Sequence, residues 1–368
     1  MIATTAFLVL TVLFVSFMLR RSAFPARVLI IGSSPLARQL TTEFTALRHV
    51  WHRVAAVVDD SRDADSPLGP RLTAPATRLR PIIEEFRPDR IVVALDDRRG
   101  RLPMRELLDA TVDGVAVEDG VECYERLTGK IAIEALTPSG LIGSPSFRKS
   151  HFDLACSHAL SLVVAASALV LLSPLFVILA LLVKLDSRGP VFFVHDRVGL
   201  RGRRFKLLKF RTMSPADGPT SEWAGDNGHR ITRLGRWLRK YRIDELPQLI
   251  NVIRGELNLV GPRPHPVSNF KLFTQKIPFY SLRSVVRPGL TGWAQVRQGY
   301  ANSLEEETEK MRFDLYYIKH MSAWLDLRIL LRTVRIIVSG HESIDPVPRL
   351  EVRPCRTSLA LVGARVKK

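Results

Sequence analysis

The 368-residue sequence predicts an α/β protein that is attached to a membrane. Residues 26–136 alternate short β-branched runs with helical stretches, a pattern typical of a parallel sheet with crossover helices. Two long stretches, 2–19 and 154–183, carry almost no ionisable groups. The chain has 54 lysines and arginines against 36 acids, a formal charge of +18. These features predict a globular body with membrane-embedded segments and an anionic partner.

The first apolar stretch is 18 uncharged residues long, from 2 to 19, and Arg20 and Arg21 follow it. A helix of that length just crosses a hydrocarbon core of about 30 Å. A cleaved signal peptide carries its positive charge before the apolar run, which is the reverse of the order here. We expect residues 1–21 to be an uncleaved membrane anchor with its arginine end in the cytoplasm, and a signal peptide is the alternative.

The segment 26–136 is predicted to be a Rossmann-like domain. Its first turn resembles a dinucleotide fingerprint, with Gly32 after the first strand and Asp59 at the end of the second. Ser34 and Ala37 stand where the second and third glycines of that fingerprint belong. A side chain at the position of close approach hinders a pyrophosphate, so we predict no nucleotide cofactor here. A dinucleotide-binding domain remains the alternative.

The second apolar stretch, 154–183, has 30 residues and His158 as its one ionisable group. A straight helix of that length would measure about 45 Å, which exceeds the apolar core of a bilayer. Ser173 and Pro174 interrupt it, and proline kinks a helix by removing a backbone hydrogen bond. Basic residues flank both ends. The length, the break and the basic flanks of this stretch are compatible with two arrangements: a re-entrant helix that returns to the cytoplasmic face, and a tilted membrane-spanning helix with a kink.

Residues 197–242 hold 13 lysines and arginines and three acids. Such a segment suits lipid headgroups, a phosphorylated substrate or nucleic acid. Aromatic residues are scattered through it and no nucleic-acid motif appears, so we predict an anionic membrane or a phosphate ligand and no nucleic-acid partner.

Residues 325–338 are predicted to form an amphipathic helix that lies at the membrane interface. Arg328, Arg332 and Arg335 are spaced to share one helix face, and apolar residues occupy the other. The alternative is a surface helix packed on the core. The basic tail, 345–368, has prolines and no sustained period, and we expect it to be disordered.

Several motifs of the C-terminal half resemble the bacterial sugar transferases, the monotopic phosphoglycosyl transferases that start exopolysaccharide, capsule or O-antigen synthesis. In chain order they are Gly189-Pro-Val-Phe-Phe193, Arg197-Val-Gly199, Phe205-Lys-Leu-Leu-Lys-Phe-Arg-Thr-Met213, Asp244-Glu-Leu-Pro-Gln-Leu-Ile-Asn-Val252, Gly261-Pro-Arg-Pro264, Arg287-Pro-Gly-Leu-Thr-Gly-Trp-Ala-Gln-Val296 and Phe313-Asp-Leu-Tyr-Tyr-Ile318. The resemblance covers residues 148–342. It implies a re-entrant membrane helix, broken at Ser173 and Pro174, and a small α/β catalytic domain with interfacial helices.

The resemblance also implies the reaction and its setting. A sugar-1-phosphate would move from a UDP-sugar to polyprenyl phosphate, with release of UMP. The protein would sit in the bacterial inner membrane, with its catalytic domain in the cytoplasm. A homo-oligomer is left open, and the sequence does not identify the sugar.

The predicted site centres on Asp244 and Glu245. The local pattern places Asp244 at the N-cap of a helix over 246–252, with Glu245 in its first turn, and such positions favour anions. By resemblance, Asp244 is the nucleophile that forms a covalent aspartyl-phosphosugar, and Glu245 holds Mg²⁺. Three basic residues are candidates for binding substrate phosphate: Arg263, Lys209 and Arg211. Lys209 and Arg211 are equally suited to binding lipid headgroups.

Two other functions are weighed against this reading. A sugar-nucleotide oxidoreductase acting through residues 26–136 would need a glycine-rich loop and a Tyr-x-x-x-Lys pair, and neither is present. A non-catalytic membrane scaffold would not need the adjacent Asp244 and Glu245.

Overall fold

The computed structural model describes residues 26–32, 34–46, 52–59, 71–73, 79–95, 102–136, 147, 151–214, 230–299 and 303–339. The anchor at 1–21 and the disordered tail at 345–368 lie outside the described residues and stay predictions.

The first half of the chain forms a parallel sheet. Its strands are β1 Ala26–Ile31, β2 His52–Asp59, β3 Arg71–Thr73, β4 Arg90–Val93 and β5 Ala116–Asp119. They lie in the order β3-β2-β1-β4-β5, and every neighbouring pair is parallel. The predicted parallel sheet is therefore confirmed. The sequence patterns missed β3 and β5, which have three and four residues and are too short for a clear period.

Helices cover both faces of this sheet: α1 Pro35–Ala46, α2 Leu79–Phe86, α3 Met104–Val112 and α4 Gly120–Thr128. On one face, Val28 and Ile30 pack in a core with α1 and α4. On the other, Leu29 and Ile31 pack with α2 and α3. Burial on both faces explains why β1 is a continuous apolar run rather than an alternating one.

The turn after β1 is closed by its own side chains. Gly32 has φ +123°, and a Cβ there would lie 2.4 Å from the carbonyl oxygen of Ala94. The Ser34 hydroxyl donates to that same carbonyl at 2.7 Å and accepts from the backbone N–H of Ala37 at 3.1 Å. Both Gly32 and Ser34 therefore have structural roles at this turn. The absence of a nucleotide cofactor stays a prediction.

The second apolar stretch forms two helices, α5 His151–Leu171 and α6 Ser173–Asp186. The interruption falls at Leu172, directly before Ser173 and Pro174. The Ser173 hydroxyl donates to the carbonyl of Val170 at 2.8 Å. Within the described part of the chain, α5 is the one helix long and apolar enough to cross a membrane, over Leu154–Leu171.

The rest of the C-terminal half is a mixed α/β body. Phe192–Val198 (β6) and Arg204–Phe210 (β7) form an antiparallel hairpin, and Asn258–Val260 (β8) pairs in parallel with Gly289–Thr291 (β9). One apolar core joins β7, β8 and β9 to most of the helices. The helices are α7 Arg233–Lys240, α8 Gln248–Ile253, α9 Val267–Lys276, α10 Trp293–Arg297, α11 Leu304–His320 and α12 Ala323–Ser339.

The stretch 129–136 links the two halves. The predicted N-terminal domain, 26–136, contains this stretch, and Ile131 and Ile133 lie in the core of the C-terminal body. The backbone N–H of Ile131 donates to the carbonyl of Arg312 on α11 at 3.1 Å. Nearby, the Lys319 ammonium binds both carboxylate oxygens of Glu125 at 2.8 Å. The core of the C-terminal body therefore includes Ile131 and Ile133, which lie well before the start of α5 at His151.

Two truncations of the first domain should differ in stability for this reason. Removal of 22–128 keeps Ile131 and Ile133 in the C-terminal core, whereas removal of 22–136 deletes both. Loss of one large buried aliphatic side chain typically costs about 2–5 kcal/mol. We therefore expect the longer deletion to show the lower Tm when both are unfolded in the same detergent. Equal Tm values would show that 129–136 is not part of the C-terminal core.

Candidate active site

Asp244 and Glu245, the acidic dyad, lie in a 3₁₀ turn, Ile243–Glu245, between α7 and α8. The predicted N-cap position of Asp244 is wrong, because α8 begins at Gln248 and Pro247 occupies the cap position. The physical reason is that Asp244 lies inside the 3₁₀ turn, whereas an N-cap residue has an extended backbone and precedes the first turn; Pro247 would itself be tolerated in a first turn. The backbone bonds here join residues three apart, such as Glu245 to Arg242. The charge that surrounds the dyad therefore comes from side chains rather than from a helix end.

Glu245 is held by two of the three predicted phosphate-binding residues. Its side chain is buried, with 6% exposed, and its Oε1 atom binds Lys209 Nζ and Arg263 Nη2, each at 2.8 Å. Burial alone would raise the pKa of Glu245, but the positive charges of Arg263 and Lys209 outweigh it and hold that pKa well below its usual range. Glu245 is thus a stable anion, and both of these contacts, made by residues that the structure describes, use its Oε1 atom.

Asp244 has a different environment from its neighbour. It is 7% exposed, and within the described residues its carboxylate accepts no hydrogen bond. Burial raises its pKa; the charge of Lys209 opposes this, and the negative charge of Glu245 adds to it. A carboxylate that is more basic than usual and bound by no donor is suited to attack an electrophile.

Arg263 lies in the Gly-Pro-Arg-Pro turn, which packs closely against β9. A Cβ on Gly289 would lie 2.1 Å from the backbone nitrogen of Gly261, so both motifs need glycine at this approach. The guanidinium of Arg263 donates from Nη1 to Gln295 Oε1 at 2.9 Å and from Nη2 to Glu245. Its carbonyl accepts from Arg283 Nη2 at 3.3 Å. Both ends of the Arg263 fork are therefore fixed beside the dyad.

Arg211 is placed elsewhere. Its Nη2 atom donates to the carbonyl and the hydroxyl of Ser187, at 2.6 and 3.0 Å, and to the carbonyl of Val183 at 3.3 Å. These acceptors belong to the C-terminal end of α6, where free carbonyls and the helix dipole favour a cation. The described contacts of Arg211 thus attach α6 to the body rather than reach Asp244 or Glu245.

A buried ionic cluster lies behind Arg263 and was not found from the sequence. Arg283 Nη1 binds Glu307 at 2.9 Å, and Arg283 Nη2 binds Asp314 at 2.7 Å. Tyr280 also donates to Glu307, at 2.8 Å. Burial raises the pKa of Asp314 to about 6, against the lowering charge of Arg283. The cluster's members are far apart in sequence, and nothing local marks Arg283 and Glu307 as partners.

The described residues of the site offer few ligands for a metal ion. The described part of the chain contains no group of three or more His, Cys, Asp or Glu side chains placed to hold a metal ion. Mg²⁺, however, usually takes one or two protein carboxylates and completes its shell with water and substrate phosphates. Glu245 fits that limited role through its Oε2 atom, which takes part in neither described contact with Lys209 or Arg263.

Comparison with known proteins identifies the family of the C-terminal half. The sequence model of a family described as "Bacterial sugar transferase" matches residues 152–340, a range that contains the dyad, Lys209 and Arg263. The predicted resemblance over 148–342 is thereby confirmed.

Three curated relatives illustrate the match. The chain is 38% identical over 264 residues to an Aeromonas hydrophila protein named UDP-N-acetylgalactosamine-undecaprenyl-phosphate N-acetylgalactosaminephosphotransferase, covering 71% of this chain and 62% of the relative. It is 46% identical over 180 residues to the Caulobacter vibrioides UDP-glucose:undecaprenyl-phosphate glucose-1-phosphate transferase, covering 48% and 67%. It is 38% identical over 189 residues to the Rhizobium leguminosarum exopolysaccharide production protein PSS, covering 50% and 94%.

Proposed function

The chain belongs to the bacterial sugar transferase family, and on that premise we propose that it transfers a sugar-1-phosphate from a UDP-sugar to polyprenyl phosphate, releasing UMP. The observation that carries this proposal is the Asp244–Glu245 pair, held between Lys209 and Arg263. Both substrates are phosphate anions, so a carboxylate nucleophile needs cations close by. The relatives whose names specify a sugar differ in it, so we assign none.

In the proposed mechanism, an oxygen of Asp244 attacks the phosphorus that carries the sugar. The bond from that phosphorus to the bridging oxygen breaks, and UMP leaves with the electron pair. The resulting aspartyl-phosphosugar is then attacked at the same phosphorus by the phosphate oxygen of the polyprenyl acceptor, which restores the Asp244 carboxylate. Two successive displacements replace one difficult reaction between two anions.

Lys209 and Arg263 neutralise charge on the phosphate oxygens during both steps. Glu245 keeps these two cations beside Asp244 and offers Oε2 to Mg²⁺. When bound there, Mg²⁺ would neutralise charge on the diphosphate.

The apolar helices support a re-entrant membrane arrangement. Near the start of α5, the Ser157 hydroxyl donates to Asp326 at 3.1 Å, and His158 Nδ1 lies 2.9 Å from Asn258 Oδ1. Near the end of α6, Val183 packs in one cluster with Leu238 of α7. The start of α5 and the end of α6 therefore both attach to the same globular body. A helix pair that enters and leaves a bilayer through one face requires such an arrangement. Between these attachments α5 and α6 expose apolar side chains: Val163, Val170, Leu171, Val177 and Ile178.

Helix α12 supports contact with the membrane surface. One apolar face is buried in the core, and a second apolar row along the helix is exposed: Trp324, Leu327, Leu331, Val334 and Val338. Arg328 and Arg335 are exposed beside this row. The prediction that Arg332 belongs to the exposed basic face is wrong. Its guanidinium lies 5.2 Å from the ring of Trp293, and the residue is partly buried. A guanidinium at that distance from a tryptophan ring is within the range of a cation–π contact.

UMP release from a panel of UDP-sugars, with polyprenyl phosphate as acceptor, tests the proposed function. We expect the purified protein to release UMP from at least one member, with continued turnover only when polyprenyl phosphate and Mg²⁺ are supplied. An NAD-linked oxidation of the same panel without UMP release would contradict the proposal.

Lys209→Met should move the acidic limb of the activity profile to higher pH. Asp244 must be ionised to attack, and the charge of Lys209 lowers its pKa against the effect of burial. Without that charge, Asp244 takes up its proton at a higher pH, so kcat/KM falls earlier as the solution is acidified. Lys206→Met is a matched control, because Lys206 is exposed on the same strand. Identical acidic limbs in wild type and Lys209→Met would rule out this coupling.

A further inference from the structure

Gln295 is the second residue that binds the guanidinium of Arg263. It lies in the five-residue helix α10, and its Oε1 accepts from Arg263 Nη1 at 2.9 Å. The other terminal nitrogen of Arg263 donates to Glu245 at 2.8 Å. One guanidinium is thus fixed at two points, by a neutral acceptor and by an anion.

The neutral acceptor has a chemical advantage at this position. An amide oxygen orients a guanidinium but adds no negative charge, whereas a second carboxylate would share the positive charge of Arg263 with Glu245 and repel incoming phosphates. We propose that Gln295 is a positioning residue that aims Arg263 at the substrate diphosphate while leaving its charge available. This inference rests on the proposed function and deepens it.

The other end of the Gln295 side chain supports this assignment. Its Nε2 atom is buried and has no hydrogen-bond partner among the described residues. A buried amide donor without an acceptor is unfavourable, and a methionine of similar length would avoid that loss. The favourable contact of the Gln295 amide is therefore the one made by its oxygen, which accepts a hydrogen bond from Arg263.

The helix that carries Gln295 is anchored at its first residue. Trp293 is buried, and its Nε1 donates to the carbonyl of Gly129 at 2.9 Å. Its ring stacks on Tyr316, with the centroids 6.0 Å apart. Because α10 has only five residues, fixing Trp293 also fixes the Gln295 backbone two residues later. Gln295 is therefore held in place before substrate binds.

The test compares steady-state UMP release by the full-length protein and two variants in the same membranes. Gln295→Met removes the acceptor, and we expect the KM for UDP-sugar to rise about tenfold or more with a smaller change in kcat, because Arg263 is no longer oriented before binding. Gln295→Glu keeps the shape and adds a charge, and we also expect a raised KM. If Gln295→Met does not fold, Gln295→Glu alone decides the question.

Gln298→Met is the matched control. Gln298 follows the same helix, and its Nε2 donates to the carbonyl of Glu306 at 3.1 Å, far from any described contact with Arg263. We expect this control to keep the wild-type KM. Wild-type KM values in folded Gln295→Met and Gln295→Glu, or an equal rise in Gln298→Met, would overturn the positioning role. A wild-type protein that releases no UMP would instead refute the proposed function, which is a separate outcome.

Discussion

Asp244→Asn should abolish turnover, with UMP release falling by at least about 1000-fold. The amide has the size of the carboxylate but is a poor nucleophile, so the covalent intermediate cannot form. Folding should persist, because the carboxylate of Asp244 accepts no hydrogen bond among the described residues. The measurement is UMP release in membranes at matched protein concentration.

The control for this change is Asp196→Asn, which removes an exposed carboxylate from β6. That variant should retain wild-type turnover. Release by Asp244→Asn above a few per cent of wild type would mean that Asp244 is not the nucleophile.

Arg263→Met should lower kcat/KM by about 100- to 1000-fold, the usual range for loss of one donor that stabilises transition-state charge. The change removes charge beside the phosphate and also one of the two cations on Glu245. Arg263→Lys should recover part of the loss, since it restores the charge but not the two-point geometry.

Arg254→Met serves as the control, because Arg254 is an exposed arginine at the end of α8. We expect it to match wild type. Equal activity of Arg263→Met and Arg254→Met would remove Arg263 from the reaction, and with it the positioning role of Gln295.

The features that sequence reasoning predicted are local ones. A parallel sheet follows from alternating strand and helix patterns, and an interruption near Pro174 follows from the chemistry of proline. Adjacent carboxylates such as Asp244 and Glu245 are visible in the sequence as a pair. Each of these depends on neighbours within one or two turns of chain.

The features that it missed depend on distant partners. Lys209 is 36 residues from Glu245, and Arg263 is 32 residues from Gln295, so no periodic pattern joins either pair. Arg332 has the spacing of a surface residue, yet it packs over Trp293. In each case the partner is brought close by the tertiary fold, which helix and strand propensities do not encode.

The position of the dyad shows a smaller error of the same kind. An acidic pair before an apolar run normally predicts an N-cap, and here the helix does not begin until Gln248. The result is a 3₁₀ turn that leaves both carboxylates buried between side-chain cations rather than at a helix end.

The most direct test of the proposed mechanism is transfer of label from UDP-sugar to the protein itself. The substrate carries ³²P at the phosphate next to the sugar, and polyprenyl phosphate is withheld. We predict that the wild-type protein retains the label on the peptide that contains Asp244 while releasing UMP, that added polyprenyl phosphate removes it, and that Asp244→Asn takes up none. Full turnover by a wild-type protein that never becomes labelled, or label on a peptide that lacks Asp244, would contradict the mechanism.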